Sequence, residues 1–136
     1  MTEIQCQCKC GAVRLNVSEE VQGPVNCHCQ LCRSMSGSAF SSYAVVPSPA
    51  VSFEHGKDKV TRFPVTKNAV KTFCQRCGTP LFNTNELYPG LTMLYLGVID
   101  GHASLVPKSN IYCSSKLAWV DELATAKTFA HSRNDS

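Results

Sequence analysis

Nine cysteines in 136 residues constrain this chain more than any other feature. Eight of them fall into three short clusters: Cys6, Cys8 and Cys10 in CQCKCG, Cys27, Cys29 and Cys32 in CHCQLC, and Cys74 and Cys77 in FCQRCG. Cys113 stands alone. An odd number does not close a pure disulfide framework, and tight clusters in a reducing compartment point to metal. The fold therefore has to bring distant clusters together.

Cys74-x-x-Cys77-Gly78 reads as a zinc knuckle, a tight turn that lets both sulfurs face one metal while glycine tolerates the backbone that follows. A knuckle supplies two ligands and needs a second pair. Cys8 and Cys10 are the natural one: a single residue apart on an extended segment, they share a face, and Gly11 follows them as Gly78 follows Cys77. Cys8, Cys10, Cys74 and Cys77 would make a closed tetrahedral site that ties the N-terminal strand to the middle of the chain and contributes to folding. Cys6 competes with Cys8 for that place. A four-sulfur set suits iron as well as zinc.

Cys27, Cys29 and Cys32 then form a second site with three local ligands. A catalytic zinc keeps three protein ligands and leaves the fourth position to water or substrate. Cys6, Cys113 or His28 could fill that position and make the site structural. His28 lies between two ligating cysteines and should point away from the metal along an extended chain. Three thiolates on Zn²⁺ leave the site at −1, which weakens its power to polarise water. Such a centre is better suited to taking up an incoming thiol and holding it as a nucleophile. An aldehyde beside that thiol would be attacked at carbon to give a hemithioacetal, and the reverse step breaks a carbon–sulfur bond.

The rest of the chain reads as mainly β. Val13, Leu15 and Val17 alternate with polar residues in GAVRLNV, and AFSSYAVVP, VSFE, KVTRFPV, NAVKTFC and PLFNTN are further short strands between Gly and Pro turns. LTMLYLGVI is apolar enough to read as one buried strand. Helix signals are confined to a turn or two at Gln30–Met35 and to Lys116–Leu123. With 43% apolar and 17% charged residues a folded domain is expected. It would span residues 1–128, with a flexible tail at 129–136. The N-terminus lacks the basic and apolar regions of a signal peptide, and no apolar run is long enough to cross a bilayer, so a cytoplasmic protein is expected. Basic residues gather between Lys57 and Arg76, but a four-thiolate zinc at −2 and a three-thiolate zinc at −1 cancel the formal +3. Nucleic acid is accordingly not an expected partner.

These residues resemble the family of glutathione-dependent formaldehyde-activating enzymes, which includes centromere protein V. The likeness runs from about Cys8 to Trp119. It rests on Cys-x-Cys-Gly-Ala-Val at Cys8–Val13, Cys-His-Cys-x-x-Cys-Arg at Cys27–Arg33, SGSAF at Ser36–Phe40, FCQRCGTPLF, LGVID, and SKLAW at Ser115–Trp119. The resemblance implies a compact fold of small antiparallel sheets stapled by two zincs per chain. Cys8, Cys10, Cys74 and Cys77 would hold a structural zinc, and Cys27, Cys29 and Cys32 the catalytic one, where the thiol of glutathione acts. Where relatives commonly carry histidine before Ile-Tyr, this chain has Asn110. Cys6 and Cys113 are not family ligands.

The expected function is that of a zinc-dependent carbon–sulfur lyase handling adducts of glutathione with a small aldehyde such as formaldehyde, as a monomer or homodimer. Ser36, Gly37 and Ser38, just after the second cluster, could line a substrate pocket, with Phe40, Phe63 and Trp119 as its walls. Tyr43 and Tyr95 could donate a proton to a forming alkoxide. The alternative is a zinc-stapled protein-interaction or nucleic-acid-associated module in which both metals only hold the fold. A further possibility, zinc storage or redox sensing, would show as metal loss with oxidation of the second cluster.

Overall fold

Alternation of apolar and polar residues builds the strands, and turn residues set their ends. The computed structural model describes residues 4–18, 21 and 23–133. In chain order it contains β1 (Ile4–Gln7), β2 (Arg14–Val17), β3 (Val25–Cys27), α1 (Gln30–Ser36), β4 (Ser41–Pro47), β5 (Val51–His55), β6 (Val60–Pro64), β7 (Ala69–Cys74), β8 (Pro80–Asn85), β9 (Leu91–Tyr95) and β10 (Ser109–Ile111). Val13, Leu15 and Val17 are all fully buried, as their alternation predicts. Residues 134–136, the end of the expected tail, lie outside the described residues.

Two sheets form. One has the order β1-β2-β5 and the other β10-β3-β4-β9-β8-β7-β6. They share a core in which Leu15 and Val17 of the smaller sheet meet Val46, Leu81 and Leu94 of the larger. Phe53 and Phe82 pack edge to face across the two sheets at 6.5 Å. A second cluster, made of Cys27, Cys32, Met35, Tyr43 and Tyr95, surrounds α1 and the adjoining strands.

The fold is mainly β and mainly antiparallel, as expected, with one parallel pair: β10 returns to lie along β3, placing Ile111 beside Cys27. Two expectations are corrected. The apolar run beginning at Leu91 is not one strand: β9 ends at Tyr95 and a 3₁₀ turn over Leu96–Val98 redirects the chain so that Ile99 bridges to Cys6. The segment expected as helix at Lys116–Leu123 is a 3₁₀ stretch over Ala118–Thr125 with no buried residue, so nothing packs along a face to hold a longer helix.

Candidate metal centres

The two halves of the first cluster are built alike. Cys8 and Cys10 sit in the turn between β1 and β2, and not on an extended segment; Cys74 ends β7, and Cys77 lies in the turn that leads to β8. In each turn a glycine closes the loop with positive φ, +80° at Gly11 and +78° at Gly78, and its N–H returns to the carbonyl of Cys8 or Cys74. The four sulfurs lie within 4.8 Å of one another. Cys8 to Cys10 and Cys10 to Cys74 are each 3.7 Å. A Zn–S bond of about 2.3 Å gives a tetrahedral edge of about 3.8 Å, so these separations suit four thiolates around one ion. Backbone N–H groups of Val13 and Arg76 already point at the sulfurs of Cys8 and Cys74, at 3.3 Å and 3.4 Å. The Thr79 hydroxyl accepts from Lys9 N–H and bonds the Cys77 sulfur, which pulls that thiol down to about 5. A low-pKa thiol gives up its proton readily, as a metal ligand must.

The second cluster takes one ligand from a strand end and two from a helix start. Cys27 closes β3. Cys29 caps α1, its sulfur accepting from the N–H of Cys32 at 3.3 Å, and Cys32 lies in the first turn. Cys32 donates to Cys27 at 3.0 Å, and Cys27 to Cys29 at 3.4 Å. The bond from Cys32 pulls the Cys27 thiol down to about 6, while making it pushes the Cys32 thiol up. Arg33 clamps the loop by donating to the carbonyls of His28 and Ser115, both at 2.7 Å, and Ser36 and Ser41 both donate to the Cys32 carbonyl.

No other His, Cys, Asp or Glu joins either cluster among the described residues. His28 is buried facing away from the sulfurs: its Nε2 donates to Asn110 Oδ1 at 3.0 Å and its ring packs on Phe40 at 5.0 Å. Asn110 also accepts from Asn26 across the parallel strand pair, at 3.1 Å. Cys6 is in the core, and Cys113 is exposed, donating to the Asn110 carbonyl.

Beside Cys27, Cys29 and Cys32 opens a pocket of about 410 Å³. Its walls come from β3, α1, β4, β7, β8, β9 and β10 and the turns after β8 and β10, with Val45, Met93 and Ile111 on the strands and Leu31 on the helix. None of Ser36, Gly37, Ser38, Phe40, Phe63 or Trp119 lines it. The first three end α1 and begin the turn after it, Phe40 is against His28, and Phe63 and Trp119 are more than half exposed elsewhere. Tyr43 does reach the site. Its hydroxyl donates to the Cys32 sulfur at 3.4 Å and accepts from Asn83 Nδ2 at 2.9 Å. The same Asn83 amide bonds Tyr95 at 3.0 Å, and the Tyr95 hydroxyl returns a bond to Asn83 Oδ1 at 3.2 Å. Burial pushes both phenols above their usual range. Asn83 carried no signal in the sequence; only the pairing of β4 with β9 and of β9 with β8 brings it to Tyr43.

The sequence model of the family described as "Glutathione-dependent formaldehyde-activating enzyme" matches residues 3–115. A relative of that description, "Putative glutathione-dependent formaldehyde-activating enzyme" from Halomonas elongata, is 24% identical over 125 residues, 87% of this chain and 80% of the relative. Relatives with the same printed name from Talaromyces marneffei and Penicillium rubens are 23% and 28% identical, over 83% and 72% of this chain. The chain spans 62% and 53% of the length of those two fungal proteins. A crystal structure of a Rhodobacter sphaeroides protein shares the fold, with a TM-score of 0.64 and 19% identity over 78% of this chain and 98% of that one. The cysteine pattern and the family match agree, and this chain belongs to the glutathione-dependent formaldehyde-activating enzyme family.

Proposed function

We propose that this protein is a zinc-dependent carbon–sulfur lyase that joins the thiol of glutathione to an aldehyde, and cleaves the adduct, at Cys27, Cys29 and Cys32. The observation that carries this reading is the gathering of three sulfurs, with no fourth protein ligand among the described residues, on the wall of a 410 Å³ pocket. Cys8, Cys10, Cys74 and Cys77 would hold a second zinc that serves the fold. At the three-cysteine site a bound zinc would supply Lewis acidity that favours the thiolate over the thiol.

The protein's own groups do the remaining work. The Arg33 and Ser41 bonds to the loop carbonyls fix Cys27, Cys29 and Cys32 relative to the pocket. Asn83 holds the Tyr43 hydroxyl at the pocket wall, where its O–H can turn from Cys32 to the aldehyde oxygen and orient the carbonyl carbon toward the thiol. Burial keeps that phenol protonated at neutral pH. The aliphatic walls exclude water, whose addition to the aldehyde would compete. In the forward direction a sulfur–carbon bond forms, the carbonyl π bond breaks, and the thiol proton ends on the new hydroxyl; the reverse releases thiol and aldehyde.

Exchange NMR with ¹³C-formaldehyde and glutathione tests this directly. The protein should accelerate interconversion of free aldehyde and adduct above the spontaneous rate, and Cys29→Ser should abolish the acceleration. An exchange rate unchanged by the protein for every aldehyde tried would reject the reading.

A further inference from the structure

We propose that the pocket beside the three cysteines receives an apolar substituent on the aldehyde carbon, so that the carbonyl substrate is a medium-chain or aromatic aldehyde in preference to formaldehyde. The inference rests on the thiol–aldehyde reading of the site. It specifies which half of the adduct enters the pocket.

Charge decides the orientation. Apart from Cys27, Cys29 and Cys32 themselves, none of the described residues lining the pocket carries a charge at neutral pH. Glutathione carries two carboxylates and an ammonium, and burying them without partners would cost several kcal/mol. The peptide must therefore lie outside, with its sulfur directed inward. What turns into the cavity is the group carried by the carbon that the sulfur attacks.

Size and lining say what that group is. Val25, Leu31, Val45, Leu91, Met93 and Ile111 make an aliphatic wall. Of the polar side chains there, Asn83 is committed to Tyr43 and Tyr95, and Asn85 accepts from the N–H of Leu87. An apolar cavity of about 150 Å³ is enough to bind benzene, and this one is about 410 Å³. Formaldehyde, with hydrogen as its only substituent, would leave most of that wall facing water. The mouth is apolar too. Of the nine large hydrophobic side chains exposed among the described residues, five line this pocket: Leu87, Tyr88, Leu91, Ile111 and Tyr112. Exposed apolar side chains concentrated around one opening are what an apolar ligand would cover.

The test is a chain-length series on the intact protein, read in two ways. Calorimetric titration with S-methyl-, S-butyl- and S-hexylglutathione, which cannot react, should show Kd falling about three- to fourfold for each methylene buried. Over the five methylenes from methyl to hexyl that amounts to roughly two and a half to three orders of magnitude. In parallel, kcat/KM with glutathione should rise from formaldehyde through butanal to hexanal. Val45→Phe, which fills part of the cavity, should erase the gain between butyl and hexyl. If that variant fails to fold, the series on the unaltered protein still decides. Equal affinity for the three thioethers, or weaker binding of the longest, overturns the inference. Formaldehyde turnover with a flat series retains the proposed reaction and rejects this substrate class. A steep binding series with no turnover of any aldehyde rejects the reaction and supports the ligand class.

Discussion

The sulfur of Cys10 lies 3.7 Å from that of Cys74, a residue 64 positions further along the chain. Cys10 belongs to the first turn of the three-stranded sheet and Cys74 to the end of a strand in the seven-stranded one. The four-sulfur cluster thus spans the two sheets, and a metal held there would cross-link them.

Removing that cross-link should unfold the protein. Structural zinc contributes on the order of 10–16 kcal/mol in small zinc-binding peptides, as much as the whole stability of an ordinary domain. Cys10→Ser and Cys74→Ser are expected to lose cooperative thermal unfolding and near-UV dichroism, as is the native chain treated with a strong chelator. Cys29→Ser, which touches only the second cluster, should keep both signals. A cooperative transition in Cys74→Ser at the native temperature would show that the first cluster is not a staple.

Asn83 supports two buried phenols at once. Asn83→Leu leaves both hydroxyls without their amide donor and should cost about 1–3 kcal/mol in urea melts. Tyr95→Phe removes a single hydroxyl and should cost less. Because Asn83 positions Tyr43, its loss should also lower kcat for adduct formation more than it raises KM. An Asn83→Leu protein of native stability would mean that ordered water replaces the amide.

Cys6 and Cys113, the two cysteines that belong to neither metal-ligand group, should behave oppositely toward an alkylating reagent at pH 8. Cys113 is exposed and should label first. Cys6 is fully buried, and burial together with the nearby Asp100 charge pushes its thiol from 9.0 up to about 12, so it should label only on unfolding. The sign of the pH effect follows. The unfolded chain gives up this proton near 9.0 while the folded chain keeps it to about 12, so the contribution is complete below pH 9.0 and is lost as pH rises through that window. The slope is at most about 1.4 kcal/mol per pH unit. Cys6→Ala should show a shallower alkaline loss of stability than the native chain.

Gly56 should not tolerate a side chain. Its φ is +86°, and a Cβ there would stand 2.1 Å from the carbonyl oxygen of Ala12. Gly56→Ala is expected to lose about 2 kcal/mol or more, since backbone has to move as well as adopt a left-handed conformation. A melting temperature unchanged within a degree would contradict the close approach of the β5–β6 turn to the Ala12 backbone.

Much of this architecture is legible in the sequence where the signal is local. Val13, Leu15 and Val17 alternate because one side of β2 faces the core, and the cysteine pairs announce themselves by spacing and by the glycines after them. The pocket is legible only in part. Cys27, Cys29 and Cys32 mark one wall, but Val25, Tyr43, Asn83, Met93 and Ile111 meet only through the strand order β10-β3-β4-β9-β8. β10 has three residues, all exposed, and no alternation to reveal it. Ser36 to Phe40 follow Cys32 closely in sequence but do not line the pocket in space. Instead α1 ends at Gly37 in a left-handed cap, and the chain turns away so that Phe40 meets His28.

The most direct test of the central claim is native mass spectrometry of the purified protein with and without glutathione. Two zinc ions per chain are expected, with one glutathione added per chain. Cys29→Ser should lose one metal and the glutathione together while retaining the other metal. A single metal per chain, or glutathione binding that survives Cys29→Ser, would contradict a thiol site at the three-cysteine cluster.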